Sequence, residues 1–150
     1  MKYGVFTTNK DWAKSWIDTQ RCFAQMKGVT VDKHRNSANE LIYYMSNGDL
    51  YMWVRPSENS RGRRLDEAVV DISTCPLEII TNIIIPIVKH REDIVIAESK
   101  SDERTLFSFI EQLKKVAAIK GDMPIYYDGY DVTDRIMKID AYCGDITLGG

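Results

Sequence analysis

Three short apolar runs at 2–6, 68–72 and 94–97, each followed by a stretch of helical periodicity, constrain this chain more than any other feature. Strands alternating with helices bury both of their faces and imply a parallel or mixed sheet between helical layers. The first helix is predicted over 10–27. Thr8 or Asn9 caps it, Asp11 favours its positive end and Gly28 stops it. Trp12, Ala13, Trp16, Ile17, Phe23 and Ala24 recur at three-to-four spacing as its buried face. A second helix starts near Pro76 and runs to about 89, with Pro86 kinking it or ending its regular part. A third is predicted over 102–119, capped by Ser101 and closed by Gly121, with Leu106, Phe107, Ile110, Leu113 and Ala117 on one side.

Between the first helix and the strand at 68–72, residues 29–38 are polar and mixed and read as a loop with a brief strand at 29–31. Segments 41–45 and 50–54 flank Ser46-Asn47-Gly48-Asp49, a hairpin signal of the type I′ kind. Residues 56–64 read as an exposed, mobile loop. The tail supplies short strands at 124–127, 136–141 and 145–148. The expected fold class is therefore α/β: a mixed sheet flanked by three helices, with a C-terminal helix plus β-meander. A soft boundary near Ser99 separates an α/β segment, 1–99, from a small helix-plus-meander segment, 100–150. No long linker marks it, so a shared core is left open.

At 150 residues the chain suits one domain or one with a small appendage. Its net charge of −2 advertises no affinity for nucleic acid. Three scattered cysteines without a CxxC pair fit a reducing cytoplasm better than a disulfide scaffold. No signal peptide is recognisable, and the longest apolar run, 79–88, is too short for a bilayer. A cytoplasmic protein away from membranes is expected.

Residues 40–99 carry a specific order of motifs: Asn47-Gly48, then Arg61-Gly62, then AVVD ending at Asp71, then IIIPIVKH, then IVIAES. With VFTTNKDWAKSW before them, residues 2–99 resemble the ATPase domain of phage terminase large subunits. The resemblance implies an α/β ATPase fold in which Asp71 stands at the Walker B position as a magnesium contact. It also makes Arg61, Arg63 and Arg64 anion contacts. Two catalytic parts are missing. Ile72 occupies the place of the glutamate that polarises water, and no glycine-rich loop cradles the phosphates. The pattern is that of a degenerate ATPase. Residues 102–150, with their MPIYYDG strand, resemble small uncharacterised phage modules and imply a mobile-element origin only.

Arg55, Arg61, Arg63 and Arg64, beside Ser57, Asn59 and Ser60, form a candidate ligand loop with Asp71, because guanidinium groups grip phosphates in a bidentate way. The plain alternative is a solvated loop neutralised by Glu58, Asp66 and Glu67. Tyr43, Tyr44, Tyr51 and Trp53 read as core and cross-strand pairs before they read as a base-stacking platform. Tyr126, Tyr127, Asp128, Tyr130 and Asp131 form an acidic, tyrosine-rich candidate partner surface, with solvated turn aspartates as the alternative. His34 and His90 have no companion at metal-ligand spacing, and Cys75 at a helix start reads as a capping-region residue. No cofactor, metal or catalytic residue is expected.

These readings lead to a non-catalytic phage or prophage protein that binds a host or viral partner, as a host-defence inhibitor or packaging regulator does. A nucleotide or nucleotide-signal binder using the arginine loop is the second class. A metal-dependent nuclease or phosphodiesterase is the third. Exposed strand edges in the tail leave a homodimer open.

Overall fold

A computed structural model describes residues 1–60, 62–100, 106–121, 126–127, 130–131, 138–142 and 145–149. Strand β1 (Lys2–Phe6) leads into helix α1 (Lys10–Met26), followed by β2 (Val31–Ser37), β3 (Glu40–Met45), β4 (Leu50–Val54), β5 (Glu67–Asp71) and β6 (Ile94–Ala97). These strands form one mixed sheet in the order β2-β3-β4-β1-β5-β6. The β4-β1-β5-β6 portion is parallel, and β3 and β2 are added to it antiparallel. The α/β class with a mixed sheet is as the alternating pattern requires.

Alternation along each central strand feeds two separate cores. Val5 and Val69 face α1 with Ala13, Ile17, Leu41 and Trp53. Phe6 and Val70 face the other way, into a core with Ile80, Ile84, Ile94 and Ile119. Among its described residues the β4-to-β5 crossover has no long helix, only a 3-10 turn at Glu58–Ser60. It lays Leu65 directly on β1, and only a glycine at position 4 leaves room. A Cβ there would meet Leu65 Cδ1 at 2.7 Å.

Several elements differ from expectation. Residues 31–37 are a strand rather than mostly loop. As the sheet's outermost strand, β2 is exposed along almost its whole length, so polar residues satisfy it and no apolar alternation marks it. The hairpin closes not through a two-residue type I′ turn but through Ser46–Gly48. Met45 N–H donates to Asp49 O (2.8 Å) and Gly48 N–H to Met45 O (3.0 Å). Gly48 takes φ 91°, which suits a three-residue loop closed by a left-handed glycine.

After Pro76 the helix is not regular. A single α-turn, α2 (Leu77–Ile79), passes into π-helix over Ile80–Ile84 and back to α3 (Ile85–Ile87), ending at Val88. Pro86 has no N–H to give, so the ladder widens just before it. Helix α4 (Leu106–Lys120) inserts Ile119 and Val116 into the core beside Ile80 and Ile94. On the side predicted to gather apolar residues, Phe107, Ile110 and Leu113 all lie open, Phe107 at 81%. The expected Ser101 cap lies outside the described residues. Gly121 closes α4 with φ 81° and an N–H to Ala117 O (2.9 Å).

In the tail, β7 (Tyr126–Tyr127) pairs antiparallel with β8 (Tyr130–Asp131), and β9 (Lys138–Tyr142) with β10 (Asp145–Gly149). Among the described residues no helix is long and apolar enough to cross a membrane.

Candidate functional site

The four parallel strands end at the same edge of the sheet. From β1 the chain travels through α1 to reach β4 on one side, then returns to β5 on the other. Such a reversal point is where open α/β sheets hold their ligands. Three of these four strand ends carry the hydroxyls that meet here: Thr7 after β1, Ser73 and Thr74 after β5, and Ser99 after β6. Asp71, the last residue of β5, stands between them with no exposed surface.

Six donors converge on its carboxylate. Oδ1 accepts from Ser73 N–H (3.1 Å), Ser73 Oγ (2.5 Å) and Ser99 N–H (3.0 Å). Oδ2 accepts from Thr7 Oγ1 (2.7 Å), Thr74 Oγ1 (2.9 Å) and Ser99 Oγ (2.5 Å). A carboxylate offers about four lone-pair directions, so this one is saturated. Burial alone would raise its pKa. The hydrogen bonds from Ser73, Ser99 and Thr7 outweigh burial and hold it at about 2. The arrangement is a clasp joining β1, β5 and β6. It leaves no lone pair for a metal and no basicity for proton transfer.

The β1–α1 connection is three residues, Thr7–Asn9, without glycine. Asn9 Oδ1 accepts from Trp12 N–H (3.1 Å), so one of the helix's free donors is already taken. Thr8 N–H is spent on Thr74 Oγ1 (3.2 Å) and Asn9 N–H on Thr7 Oγ1 (3.0 Å). A phosphate cradle needs several such N–H groups pointing at one place. Ile72, the residue after Asp71, is buried in the core with Val70 and Ile80.

Of the candidate arginines, the described ones, Arg55, Arg63 and Arg64, do not donate to Asp71. Arg55, just past the end of β4, lies over the Trp53 indole at 5.3 Å, and Lys10 Nζ approaches the same ring at 5.9 Å. The Trp53 Nε1–H donates to Thr7 O (2.8 Å). Arg63 reaches Met52 Sδ at 3.3 Å. Arg64 lies before the start of β5, beside a shallow hollow formed with Pro86, Lys89 and His90. It lies seven positions before Asp71, and β5 runs between them, so the two stand roughly 20 Å apart. Arg61 and Asp128 lie outside the described residues. Tyr126, Tyr127, Tyr130 and Asp131 are placed by backbone pairing on β7 and β8.

Tyr43, Tyr51 and Trp53 are buried with Val5 and Ile17, in keeping with core packing. The Cys75 thiol is buried and donates to Phe6 O (3.3 Å). Burial first, then the neighbouring Asp71 charge, pushes its pKa up to about 12, the reverse of an activated nucleophile. Among the described residues no group of three or more His, Cys, Asp or Glu side chains is placed to hold a metal.

Sequence reasoning singled out Asp71 but missed Thr7, Ser73, Thr74 and Ser99 as its partners. Their common signal was readable: each of three predicted strands is followed within three residues by a hydroxyl side chain. No protein-family model matches the chain, and no curated protein or solved structure is significantly similar to it.

Proposed function

We propose that this chain is a non-catalytic binding protein of phage or prophage origin, derived from an ATPase-like scaffold of the terminase large-subunit kind. It acts by engaging a host or viral protein, as an inhibitor of host defence or a regulator of DNA packaging does. The observation that carries the non-catalytic part is the saturated Asp71 carboxylate. The group that would hold magnesium in an ATPase here spends both oxygens on Thr7, Ser73, Thr74 and Ser99. The phage origin rests on the ordered motifs from Asn47-Gly48 to IVIAES.

The test is a pull-down from host lysate with the tagged full-length chain, run beside a nucleotide-hydrolysis assay with magnesium. A specific, saturable partner and no turnover support the proposal. Turnover that the Asp71→Ala change abolishes overturns it.

A second reading, capture of a nucleotide or nucleotide signal, is favoured by one observation. Arg55 and Lys10 both approach the Trp53 ring at the carboxyl edge of the sheet. A thermal-shift panel of nucleotides tests it: stabilisation lost in Arg55→Ala or Arg61→Ala favours this reading, and no shift removes it.

A further inference from the structure

The chain's net charge of −2 hides an uneven distribution. Residues 1–66, which precede β5, hold eleven Lys and Arg against seven Asp and Glu, a balance of +4. Residues 67–150 hold nine against fifteen, a balance of −6. The strand order turns this division of the sequence into a division of the sheet, because β2, β3, β4 and β1 fill one side of it and β5 and β6 the other. A local basic field is therefore open to a polyanion, although the molecule as a whole is acidic.

That field has a defined face. Along β3, Leu41, Tyr43 and Met45 are buried toward α1, so Ile42 and Tyr44 turn to the opposite side of the sheet, where both are partly exposed. Across this side, Lys33, Tyr44 and Leu50 lie in one row and Arg35, Ile42 and Met52 in the next. Lys33 and Arg35 are exposed on the outer strand, and Lys33 Nζ stands 6.0 Å from the Tyr44 ring centre. At the far end of the rows Arg63 comes down from the crossover onto Met52, 3.3 Å from its Sδ. Three strands span about 10 Å, so cations stand on both sides of a floor made by Tyr44, Ile42 and Leu50. Glu40 is the one acid among the residues that β3 and β4 turn to this side, and it lies 3.8 Å from Arg35. Asp32 falls in the bulge between Val31 and Lys33.

We infer that this face binds single-stranded nucleic acid, with phosphates on Lys33, Arg35 and Arg63 and a base stacked on Tyr44. Charge complementarity selects a polyanion, and guanidinium groups hold phosphate oxygens in pairs. The accessible ring selects a polyanion with unpaired bases, because every base has a face to stack and a duplex covers that face with its neighbours. A duplex is read by an element that enters a groove, and a flat sheet face offers none. The site lies on the opposite side of the sheet from Trp53, which is buried toward α1. The inference therefore goes beyond both readings above and depends on neither.

Fluorescence anisotropy of a labelled oligothymidylate of about 12 nucleotides, titrated with the full chain at about 50 mM salt, tests it. The expected result is saturable binding that weakens as salt rises, with the matching duplex bound about tenfold more weakly or worse. Oligouridylate run in parallel identifies the sugar: tighter binding of it assigns RNA, weaker binding DNA. Lys33→Ala and Arg35→Ala should each reduce the slope of log affinity against log salt by about 0.7. Tyr44→Ala should weaken binding about fivefold or more, and Tyr44→Phe, which keeps the ring, should retain it. Glu40→Gln removes the acid from the face and should tighten binding. Lys14→Ala, on the α1 side of the sheet, should leave it unchanged. No binding at about 50 mM salt, equal affinity for the duplex, or an affinity indifferent to both Lys33→Ala and Tyr44→Ala overturns the inference.

Discussion

Replacing Asp71 by asparagine keeps the side chain's volume and shape but removes its charge and turns one acceptor into a donor. The six donors that now meet the two oxygens come from β1, β5 and β6 and the turns after them. The size of the loss follows from the carboxyl's pKa, which moves from the ordinary 3.8 to about 2 in the fold. A lowering of about 1.8 units corresponds to about 2.4 kcal/mol favouring the ionised folded state at neutral pH. Donors facing the new amide add to this, so Asp71→Asn should cost about 3 kcal/mol at pH 7.

The sign with pH is set by the depressed value. The contribution is complete above the unfolded pKa near 3.8 and is lost as pH falls through 2. By linkage, about 1.6 of the 2.4 kcal/mol should be gone by pH 2.5. Urea unfolding of wild type and variant, followed by tryptophan fluorescence at pH 7 and pH 2.5, measures both. A difference below about 0.5 kcal/mol at pH 7 would refute the clasp, because it is within the scatter of ordinary surface changes. A large difference that persists unchanged at pH 2.5 would refute its ionic character.

Other consequences follow from the same packing. Gly4→Ala drives a methyl to within 2.7 Å of Leu65 Cδ1 and should cost about 1–3 kcal/mol, read as a lowered melting temperature. Asn9→Ala removes the side-chain cap on Trp12 N–H and should cost about 1 kcal/mol in urea unfolding, while Asn9→Ser should recover most of it. Cys75, buried and pushed up to about 12, should resist a thiol reagent at pH 8 until the protein unfolds. Exposed Cys22 should react at once, and mapping labelled peptides by mass spectrometry distinguishes the two.

What could be read from the sequence, and what could not, divides along physical lines. Strands β1, β5 and β6 and helix α1 declare themselves because continuous apolar runs and a three-to-four repeat are one-dimensional signals of burial. Strand β2 does not, because an edge strand exposed on both faces has no apolar pattern to show. Its identity comes from pairing His34 with Tyr43 and Arg35 with Ile42 across a hairpin. The buried side of α4 is not legible for a related reason. Phe107, Ile110 and Leu113 form a stripe of the right period, yet Val116 and Ile119 are the residues that meet the core. Periodicity identifies a face; it does not say what covers it.

The Asp71 clasp needs residues 64 and 28 positions away, Thr7 and Ser99, brought together only by the parallel order of β1, β5 and β6. The arginines show the converse. Neighbours in sequence, Arg55 and Arg64 are carried to opposite ends of the sheet by a crossover that runs its length.

Steady-state nucleotide hydrolysis with magnesium, measured on folded wild type and on Asp71→Ala, tests most directly the proposal that this chain is non-catalytic. The account predicts no turnover above buffer for either protein, with ATP or GTP. Magnesium-dependent turnover by the wild type, abolished in an Asp71→Ala protein that still folds, would contradict it.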